Sequence, residues 1–292
     1  MTLRVATRGS ALARWQAVRV VELLDEPAEL VVVTTTGDRR TDTPIHEMGG
    51  TGVFVKEVQE AVIDGRADVA VHSAKDLPAV TPAGLDLAAI PERADPRDAL
   101  VGATLDELPT GGRIGTDSVR RRAQLAASRP DLEFGSLRGN IATRLEKAAE
   151  FDAIVVAFAA LERLGLDERA TEVLDPRTLL PQVGQGALAV ECRHDDAVTR
   201  AALARIDDAS ARRAVVTERA FLEALGGGCD LPCAALAHHE GDEIVVEGLL
   251  ASLDGRIVVR SAARGSDPRE TGTEAARILL DEHGGARVLE DW

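Results

Sequence analysis

The chain has 292 residues, of which 45% are hydrophobic and 28% charged, and its formal net charge at pH 7 is −15. This length exceeds what a single core usually serves, so two or three domains are expected. The negative charge disfavours nonspecific binding to nucleic acid or to anionic membranes, and no run of about 18 apolar residues offers a membrane span.

Compartment and habitat are suggested by the N-terminus and by residue usage. The opening MTLRVATRGS has no apolar segment behind a basic start, and the chain has only three cysteines. Both features favour a cytoplasmic protein with reduced thiols. Lysines are scarce, carboxylates abundant and tyrosine absent, which indicates adaptation to high salt. GC-rich coding, which exchanges lysine for arginine, is the alternative explanation of the scarce lysines.

In chain order, short apolar runs alternate with helical patterns. The expected strands are 3–6, 30–34, 68–71 and 154–157. The expected helices are 10–24, 53–63 and a helix that follows residue 157, reaches Arg163 and stops at Gly165. Strand–helix–strand alternation predicts parallel sheets covered by helices.

The last eighty or so residues have a different pattern. Two apolar runs, 244–252 and 256–262, flank Asp254-Gly255, a pair typical of a hairpin with a type I′ turn. A helix is expected over 273–283, with Gly284 just past its end. These signals predict a small α+β domain.

The segment TDTPIHEMGGTG, residues 41–52, has no usable periodicity. A loop of this length inside a compact domain is typically a lid, a binding loop or a disordered segment. Of the three, we expect a lid.

Residues 110–145 reverse the charge of the chain, with seven arginines against three carboxylates. In GTDSVRRRAQL, a cap at Thr116, Asp117 or Ser118 precedes a helix whose first turn carries arginines. Cations at a helix N-terminus oppose its dipole, so this placement favours a docked anion. The alternative is a solvated basic face paired with acidic neighbours.

A second candidate is VHSAKDLP, residues 71–78, where a buried strand ends in His72, Ser73, Lys75 and Asp76. Ligands of open α/β sheets bind beyond the carboxyl ends of strands. An equally open alternative to a ligand site is a hydrogen-bonded turn that has no function in binding or catalysis. His72 and Ser73 are adjacent and should point to opposite sides of the strand, which disfavours a nucleophile–base pair.

The cysteines suggest no metal centre. GGGCDLPC places Cys229 after three glycines and Cys233 four residues later, but no second pair with ligand spacing occurs, so zinc is not expected. Cys192 follows an apolar run and is expected to be buried. VGQGA, residues 183–187, is not the GxGxxG dinucleotide fingerprint.

Motifs spread over nearly the whole chain resemble the hydroxymethylbilane synthase (porphobilinogen deaminase) family, and they occur in that family's order. They are ATRGSALARWQ, GVFVKE, ADVAVHSAKDLP, GTDSVRRRAQL, SLRGNIATRL, FDAIVVAFAALERLGL, VGQGALAVECR and GGGCDLPCA. The resemblance implies two hinged periplasmic-binding-protein-like (type II) α/β domains with parallel-rich mixed sheets, plus a small C-terminal α+β domain. The implied domains are 1–97 with 187–206, then 98–186, then 207–292.

The implied activity is the head-to-tail condensation of four porphobilinogen molecules into a linear tetrapyrrole, with loss of ammonia at each addition. The implied cofactor is dipyrromethane, built from porphobilinogen and joined to Cys229 by a thioether. This chemistry is reasonable, because loss of the aminomethyl nitrogen leaves an electrophilic azafulvene that a thiolate attacks. Family precedent implies a monomer.

The resemblance also assigns site residues. Asp76 matches the catalytic carboxylate, which would accept hydrogen bonds from pyrrole N–H groups and stabilise a cationic intermediate. The positions matching contacts to cofactor or substrate carboxylates are Arg8, Ser10, Lys56, Lys75, Ser118, Arg120, Arg121, Arg138, Arg144, Arg163 and Gly186. Guanidinium forks suit carboxylates better than lysine does.

Three positions depart from the family pattern. Thr51 stands where a lysine is frequent, Asp117 where serine is more usual, and Cys233 adds a thiol near the attachment position. The rival function is a non-catalytic two-lobed binding protein for a polycarboxylate or other small anion. That alternative would explain the arginines but not Cys229 or Asp76.

Overall fold

The computed structural model describes residues 2–39, 52, 54–227 and 231–290. Contacts divide the chain into two units, residues 1–94 with 186–212 and residues 95–185 with 213–292. Cys229 lies outside the described residues, and so does the expected lid, residues 41–52, apart from Gly52. The division into three domains stays a prediction.

The strands of the described chain are β1 (Leu3–Arg8), β2 (Ala28–Val33), β3 (Val69–Ser73), β4 (Leu85–Ala89), β5 (Asp98–Val101), β6 (Arg113–Gly115), β7 (Glu133–Gly135), β8 (Ala153–Ala157), β9 (Glu172–Val173), β10 (Leu188–Arg193), β11 (Cys233–Glu240), β12 (Glu243–Ala251) and β13 (Val258–Gly265). Its helices are α1 (Ala11–Leu24), α2 (Thr36–Arg39), α3 (Lys56–Ile63), α4 (Val119–Ser128), α5 (Ile141–Glu146), α6 (Phe158–Glu162), α7 (Ala197–Leu203), α8 (Ala209–Ala224), α9 (Pro268–Arg277) and α10 (Gly285–Glu290). None of these helices is long and apolar enough to cross a membrane.

The sheet of unit 1 has the strand order β2-β1-β3-β10-β4. β1 pairs in parallel with β2 and β3, whereas β10 runs antiparallel between β3 and β4. Helix α1 begins at its cap Ser10, whose hydroxyl accepts the Ala13 N–H, and it buries Ala17, Val20 and Leu24. These side chains join a core that includes Val5, Val69, Val190 and the fully buried Cys192, as expected for that thiol.

The first sheet of unit 2 repeats this arrangement with the order β7-β6-β8-β5-β9. β6 pairs in parallel with β7 and β8, and β5 runs antiparallel between β8 and β9. Each sheet therefore has three parallel neighbours and one antiparallel strand next to the last. The expected pair of parallel-rich mixed α/β sheets is confirmed.

The remaining sheet, also in unit 2, is the antiparallel meander β11-β12-β13. Phe221 of α8 is fully buried against it, and a Cβ on Gly248 would come within 2.3 Å of the Phe221 ring. On the same sheet, Leu249 and Ala251 pack with Ala123 of α4. The small C-terminal α+β part is thus present, and it supports the helix that begins with the arginines.

Two local predictions in this part are wrong. The β12–β13 connection is a six-residue loop, 252–257, rather than a type I′ turn, because positive φ in the described chain occurs at Asp25 but not at Asp254. The Asp254 carboxylate instead accepts hydrogen bonds from Ser252 Oγ and the Arg256 N–H. The expected helix over 273–283 begins earlier, at Pro268, because Asp267 caps it, and residues 278–282 form a π-helical turn.

Candidate functional site

In unit 1, the predicted site residues lie where neighbouring parallel strands end. β1 ends at Arg8 and β3 ends at Ser73, followed by the 3₁₀ turn Ala74–Asp76. Gln16 of α1 donates a hydrogen bond to Ser73 Oγ at 2.8 Å, which ties the helix that follows β1 to the end of β3. The structure therefore brings Arg8, Ser10, Lys75 and Asp76 to one edge of the sheet.

Asp76 is half-buried on this edge. Within residues 2–39 and 54–227, its carboxylate has no hydrogen-bond or ion-pair partner. The turn itself is held by backbone bonds, from Ala74 N–H to the Ala187 carbonyl and from Leu77 N–H to the Ala74 carbonyl. A carboxylate held in place by backbone, with its oxygens uncommitted, is suited to accept N–H donors from a ligand.

His72 and Ser73 have separate partners, as their adjacency in the strand predicts. His72 Nε2 lies 3.2 Å from Glu191 Oε2, and both residues are buried. Gln59 of α3 donates to both Glu191 oxygens, at 2.8 and 3.1 Å. This pair forms part of the interior beneath the turn.

The remaining predicted site residues of unit 1 differ from Asp76 in their contacts and in their exposure. The Arg8 guanidinium lies 4.2 Å from the centroid of the Phe54 ring, a cation–π geometry. Ser10 is occupied as the cap of α1. Lys56, at the start of α3, is largely exposed, and its ammonium lies 3.9 Å from Glu60. Gly186 is buried with a left-handed φ of 84°, and its carbonyl accepts the Ala94 N–H.

In unit 2, the candidates again follow parallel strands. After β6, Ser118 caps α4 by accepting the Arg121 N–H at 3.4 Å, so one of the three expected capping positions is correct. Arg138 follows β7, Arg144 lies on α5, and Arg163 caps the C-terminus of α6 after β8. The predicted arginines of this unit thus follow three adjacent strands.

Arg120 and Arg121 turn inward and share one carboxylate. Arg120 Nη2 donates to Asp98 Oδ2 at 2.8 Å, and Arg121 donates to Asp98 Oδ1 from Nη2 at 2.7 Å and Nε at 3.1 Å. Their Nη1 atoms donate to the Leu180 and Val155 carbonyls. Both guanidiniums pair with an acidic residue, but they are buried, so the alternative of a solvated basic face does not describe them. Their contact with a bound carboxylate stays a prediction.

The electrostatics of this cluster follow from its burial. Burial alone would raise the pKa of Asp98, but the charges of Arg120 and Arg121 outweigh it and hold the pKa at about 2. Burial lowers the pKa of Arg120, Asp98 opposes that shift, and Cys233 opposes it more weakly. Two guanidiniums face one carboxylate, so the cluster of Arg120, Arg121 and Asp98 has a net charge of +1.

Asp117, the departure from the family pattern, contacts the segment that carries Arg138. Its Oδ1 accepts the Leu137 N–H at 3.1 Å, and its Oδ2 lies 3.5 Å from Arg138 Nε. The extra negative charge is therefore engaged locally.

Arg144 and Arg163 lie further along the same unit. Arg144 Nε donates to the Gly139 carbonyl at 2.9 Å. Burial lowers the pKa of Arg163 to about 10, against the opposing charge of Glu162. A guanidinium destabilised by burial gains from an additional negative partner.

Several residues that organise the site were not predicted, namely Phe54, Asp98, Gln185 and Glu218. The sequence did contain signals for three of them. Phe54 and Gln185 lie inside the family motifs given above, and Asp98 is a charged residue directly before an apolar run of strand length. Glu218 gives no local signal, because an acidic residue in mid-helix is ordinarily exposed.

The site can be compared with known proteins. Residues 3–201 match the family model "Porphobilinogen deaminase, dipyromethane cofactor binding domain", and residues 212–281 match "Porphobilinogen deaminase, C-terminal domain". The porphobilinogen deaminase of Roseiflexus sp. is 50% identical over 297 residues, covering 98% of each chain. That of Acidithiobacillus ferrooxidans is 47% identical over 300 residues, covering 99% of this chain and 98% of the relative. Among solved structures, protein PG110 from Staphylococcus aureus is similar at a TM-score of 0.43 and 12% identity, over 73% of this chain and 89% of that one.

Each α/β sheet has predicted cationic site residues beyond its strand ends, and in unit 1 an uncommitted carboxylate follows β3. The chain belongs to the porphobilinogen deaminase family. It is an enzyme that condenses porphobilinogen in tetrapyrrole synthesis, the hydroxymethylbilane synthase activity, with a dipyrromethane cofactor. The alternative of a non-catalytic binding protein is not favoured.

The described residues fit such a cofactor. Arg120 Nε and Arg138 Nη1 are buried donors without a hydrogen-bond acceptor in the described chain. Leaving a buried donor unsatisfied costs about 1–3 kcal/mol, so both atoms favour an added acceptor. The carboxylate arms of pyrrole rings supply acceptors of that kind.

Proposed function

We propose that Asp76 is the catalytic carboxylate and that Cys229 carries the cofactor. The observation that supports the role of Asp76 is its uncommitted carboxylate on a backbone-held turn at the end of β3. Cys229 lies outside the described residues, so its role rests on the family motif GGGCDLPC.

When bound, the dipyrromethane supplies the primer to which pyrrole units are added. Each porphobilinogen loses its aminomethyl nitrogen as ammonia, which leaves a cation delocalised over its methylene carbon and pyrrole ring. The Asp76 carboxylate accepts a hydrogen bond from that pyrrole N–H and stabilises the positive charge. The new carbon–carbon bond forms at the methylene carbon, and the attacking pyrrole carbon releases its proton. Release of the linear tetrapyrrole after four additions would consume one water: its hydroxyl adds to the methylene carbon that had joined the four units to the primer, and its proton returns to the primer's pyrrole carbon.

The cationic positions bind the carboxylate arms. In this proposal Arg8, Lys56 and Lys75 of unit 1 supply charge, with Ser10 and Gly186 as neighbouring contacts. The unit 2 positions are Ser118, Arg120, Arg121, Arg138, Arg144 and Arg163. Support comes from the two unsatisfied buried donors and from Arg163, whose pKa burial lowers. Pairing a guanidinium with a carboxylate is bidentate and directional, so it orients each ring as well as attracting it.

We further propose that the protein is a monomer in the cytoplasm. Cys192 and Cys233, the cysteines in the described part of the chain, are buried and are not joined in a disulfide, which is compatible with a reducing compartment. Light scattering during size exclusion tests the monomer, and cell fractionation tests the location.

The deciding experiment is intact-mass spectrometry of the wild type, Cys229→Ser and Cys233→Ser, each with an assay of porphobilinogen turnover. Cys233 is the matched control, because it is the neighbouring thiol but is only 5% exposed. We expect the wild type and Cys233→Ser to carry a covalent adduct of two pyrrole units. Cys229→Ser should lack both the adduct and activity.

Each other outcome has a definite meaning. A wild type without an adduct would contradict the proposed attachment. An adduct that disappears in Cys233→Ser and persists in Cys229→Ser would move the attachment to the buried thiol.

A further inference from the structure

Two buried carboxylates of unit 2 hold consecutive residues of one segment. Asp98, at the start of β5, and Glu218, in α8, are both fully buried. Gly184 N–H donates to Glu218 Oε2 at 2.7 Å. Gln185 Nε2 donates to Asp98 Oδ1 at 3.0 Å and to the Pro96 carbonyl at 2.7 Å. Segment 184–185 therefore connects the two carboxylates.

Glu218 also holds the strand that follows the attachment position. Its Oε1 accepts the Ala237 N–H of β11 at 3.0 Å. β11 is an edge strand, so its N–H groups that point away from β12 need hydrogen-bond acceptors from outside the sheet. This need is greatest for a buried N–H group, which cannot bond to water. β11 begins at Cys233, four residues after Cys229.

Just before this strand the chain is fixed by backbone bonds. Cys233 N–H donates to the Leu231 carbonyl, and Ala251 N–H donates to the Pro232 carbonyl. From residue 231 onward the attachment segment thus has a defined anchor on the β11–β12 ladder. The same ladder is what Glu218 connects to residue 184.

Asp98 holds the other partner, helix α4. It receives the guanidiniums of Arg120 and Arg121 from the first turn of that helix. The hydrogen-bonded chain therefore runs from β11 through Glu218, segment 184–185 and Asp98 to the arginines of α4. Every member lies in unit 2 and is buried.

We propose that Glu218 and Asp98 are positioning residues for cofactor attachment, because they fix the strand that follows Cys229 relative to Arg120 and Arg121. The inference rests on the proposed function, in which Cys229 is alkylated and these arginines bind carboxylates. Assembly of the cofactor requires the thiol and the carboxylate ligands to be reached at once, so a shift of β11 against α4 should reduce it. Displacements of about 1 Å can lower reaction rates about a hundredfold.

The test compares Glu218→Gln with Leu279→Ala. The amide retains the shape of Glu218 but offers a single acceptor oxygen, so either Gly184 or Ala237 loses its acceptor. Leu279 is fully buried in the π-helical turn after α9 and has no bond to this chain of groups. It serves as the control for loss of stability alone.

Three quantities are measured for each protein: the fraction with the covalent adduct by intact mass, kcat and KM for porphobilinogen, and Tm. We expect Glu218→Gln to lower the loaded fraction or kcat by about tenfold or more, by the misplacement argument. Leu279→Ala should remain within about twofold of the wild type in both, even where its Tm falls as far or further.

Equal losses in the two variants, in proportion to Tm, would overturn the positioning role. If Glu218→Gln does not fold, Gln185→Leu decides by the same criteria, because it breaks the link but leaves the arginine–Asp98 bonds. Failure of the proposed function is distinguishable, since it would be seen as a wild type without the adduct.

Discussion

Asp98→Asn is expected to be among the most destabilising single-atom exchanges in this chain. The substitution replaces one carboxylate oxygen by an NH₂ group that faces guanidinium donors, so two buried cations lose their counter-charge. The Asp98 pKa is about 2 against an ordinary value of 3.8. That difference corresponds to about 2 kcal/mol of stability at neutral pH. Breaking a buried pair by removing one partner typically costs about 3–5 kcal/mol, so a loss of about 2–4 kcal/mol is expected for an isosteric replacement.

The pH dependence follows from the depressed pKa. Because the folded-state pKa lies below the unfolded-state value, the contribution of the charge is fully present above about pH 5 and is lost as pH falls toward about 2. At pH 3 the wild type should have lost about 1 kcal/mol of the stability that the Asp98 charge contributes, whereas Asp98→Asn has no carboxyl group at this position to titrate. The stability difference between the two proteins should therefore narrow on acidification.

Urea unfolding followed by far-UV circular dichroism, at pH 7 and pH 3, measures both quantities. Asp131→Asn is the matched control, since Arg129 and Asp131 are also 2.7 Å apart but partly exposed. Exposed pairs contribute little because solvent screens them, so this variant should lose much less stability. A loss in Asp98→Asn no greater than in the control, or a difference that widens at pH 3, would refute the reasoning.

Two further predictions concern the turn that carries Asp76 and the antiparallel sheet β11-β12-β13. Asp76→Asn should keep the adduct and the wild-type Tm, because the Asp76 carboxylate has no partner in the described chain to lose. It should lower kcat by about a hundredfold or more, because the variant lacks the proposed catalytic carboxylate. Wild-type turnover would remove the assigned role. Gly255→Ala should lower the free energy of unfolding by about 1–3 kcal/mol, because φ is 71° and the new Cβ would lie 2.3 Å from the Ala123 carbonyl oxygen. Gly241→Ala, with φ of 64° and nothing within 4 Å, should lose less in the same urea titration; equal losses would contradict the contact argument.

Periodicity and end signals were sufficient for much of the fold. The strand expected at 3–6 and the helix expected at 10–24 exist as β1 and α1, because their apolar spacing and the Ser10 cap act locally. The apolar run before His72 predicted that Asp76 follows the end of a strand, whereas its expected catalytic role came from the family motifs. Local rules failed at Asp254, whose side chain competes with backbone preference in the β12–β13 loop. The start of α9 was missed although it has a local signal, the cap Asp267 followed by Pro268.

What the sequence did not reveal is which distant groups become partners. Asp98 lies 22 and 23 residues from the arginines it binds, and Glu218 lies 34 residues from Gly184. No helical or strand period connects such positions, because their contact depends on how sheets and helices pack. The sequence therefore favoured an external anion for the first-turn arginines of α4, although a buried internal carboxylate already engages Arg120 and Arg121.

The return of β10 to the first sheet has a consequence for synthesis on the ribosome. β4 pairs with β10 and with no other strand of the described sheet, yet β10 begins about a hundred residues after β4 ends. While residues 95–185 are being made, the nascent chain carries an unpaired β4 and an open edge on β3. Open edges of this kind invite pairing with other chains. The N-terminal segment thus cannot complete its own sheet, and its protection from aggregation waits until the first sheet of unit 2 has been synthesised.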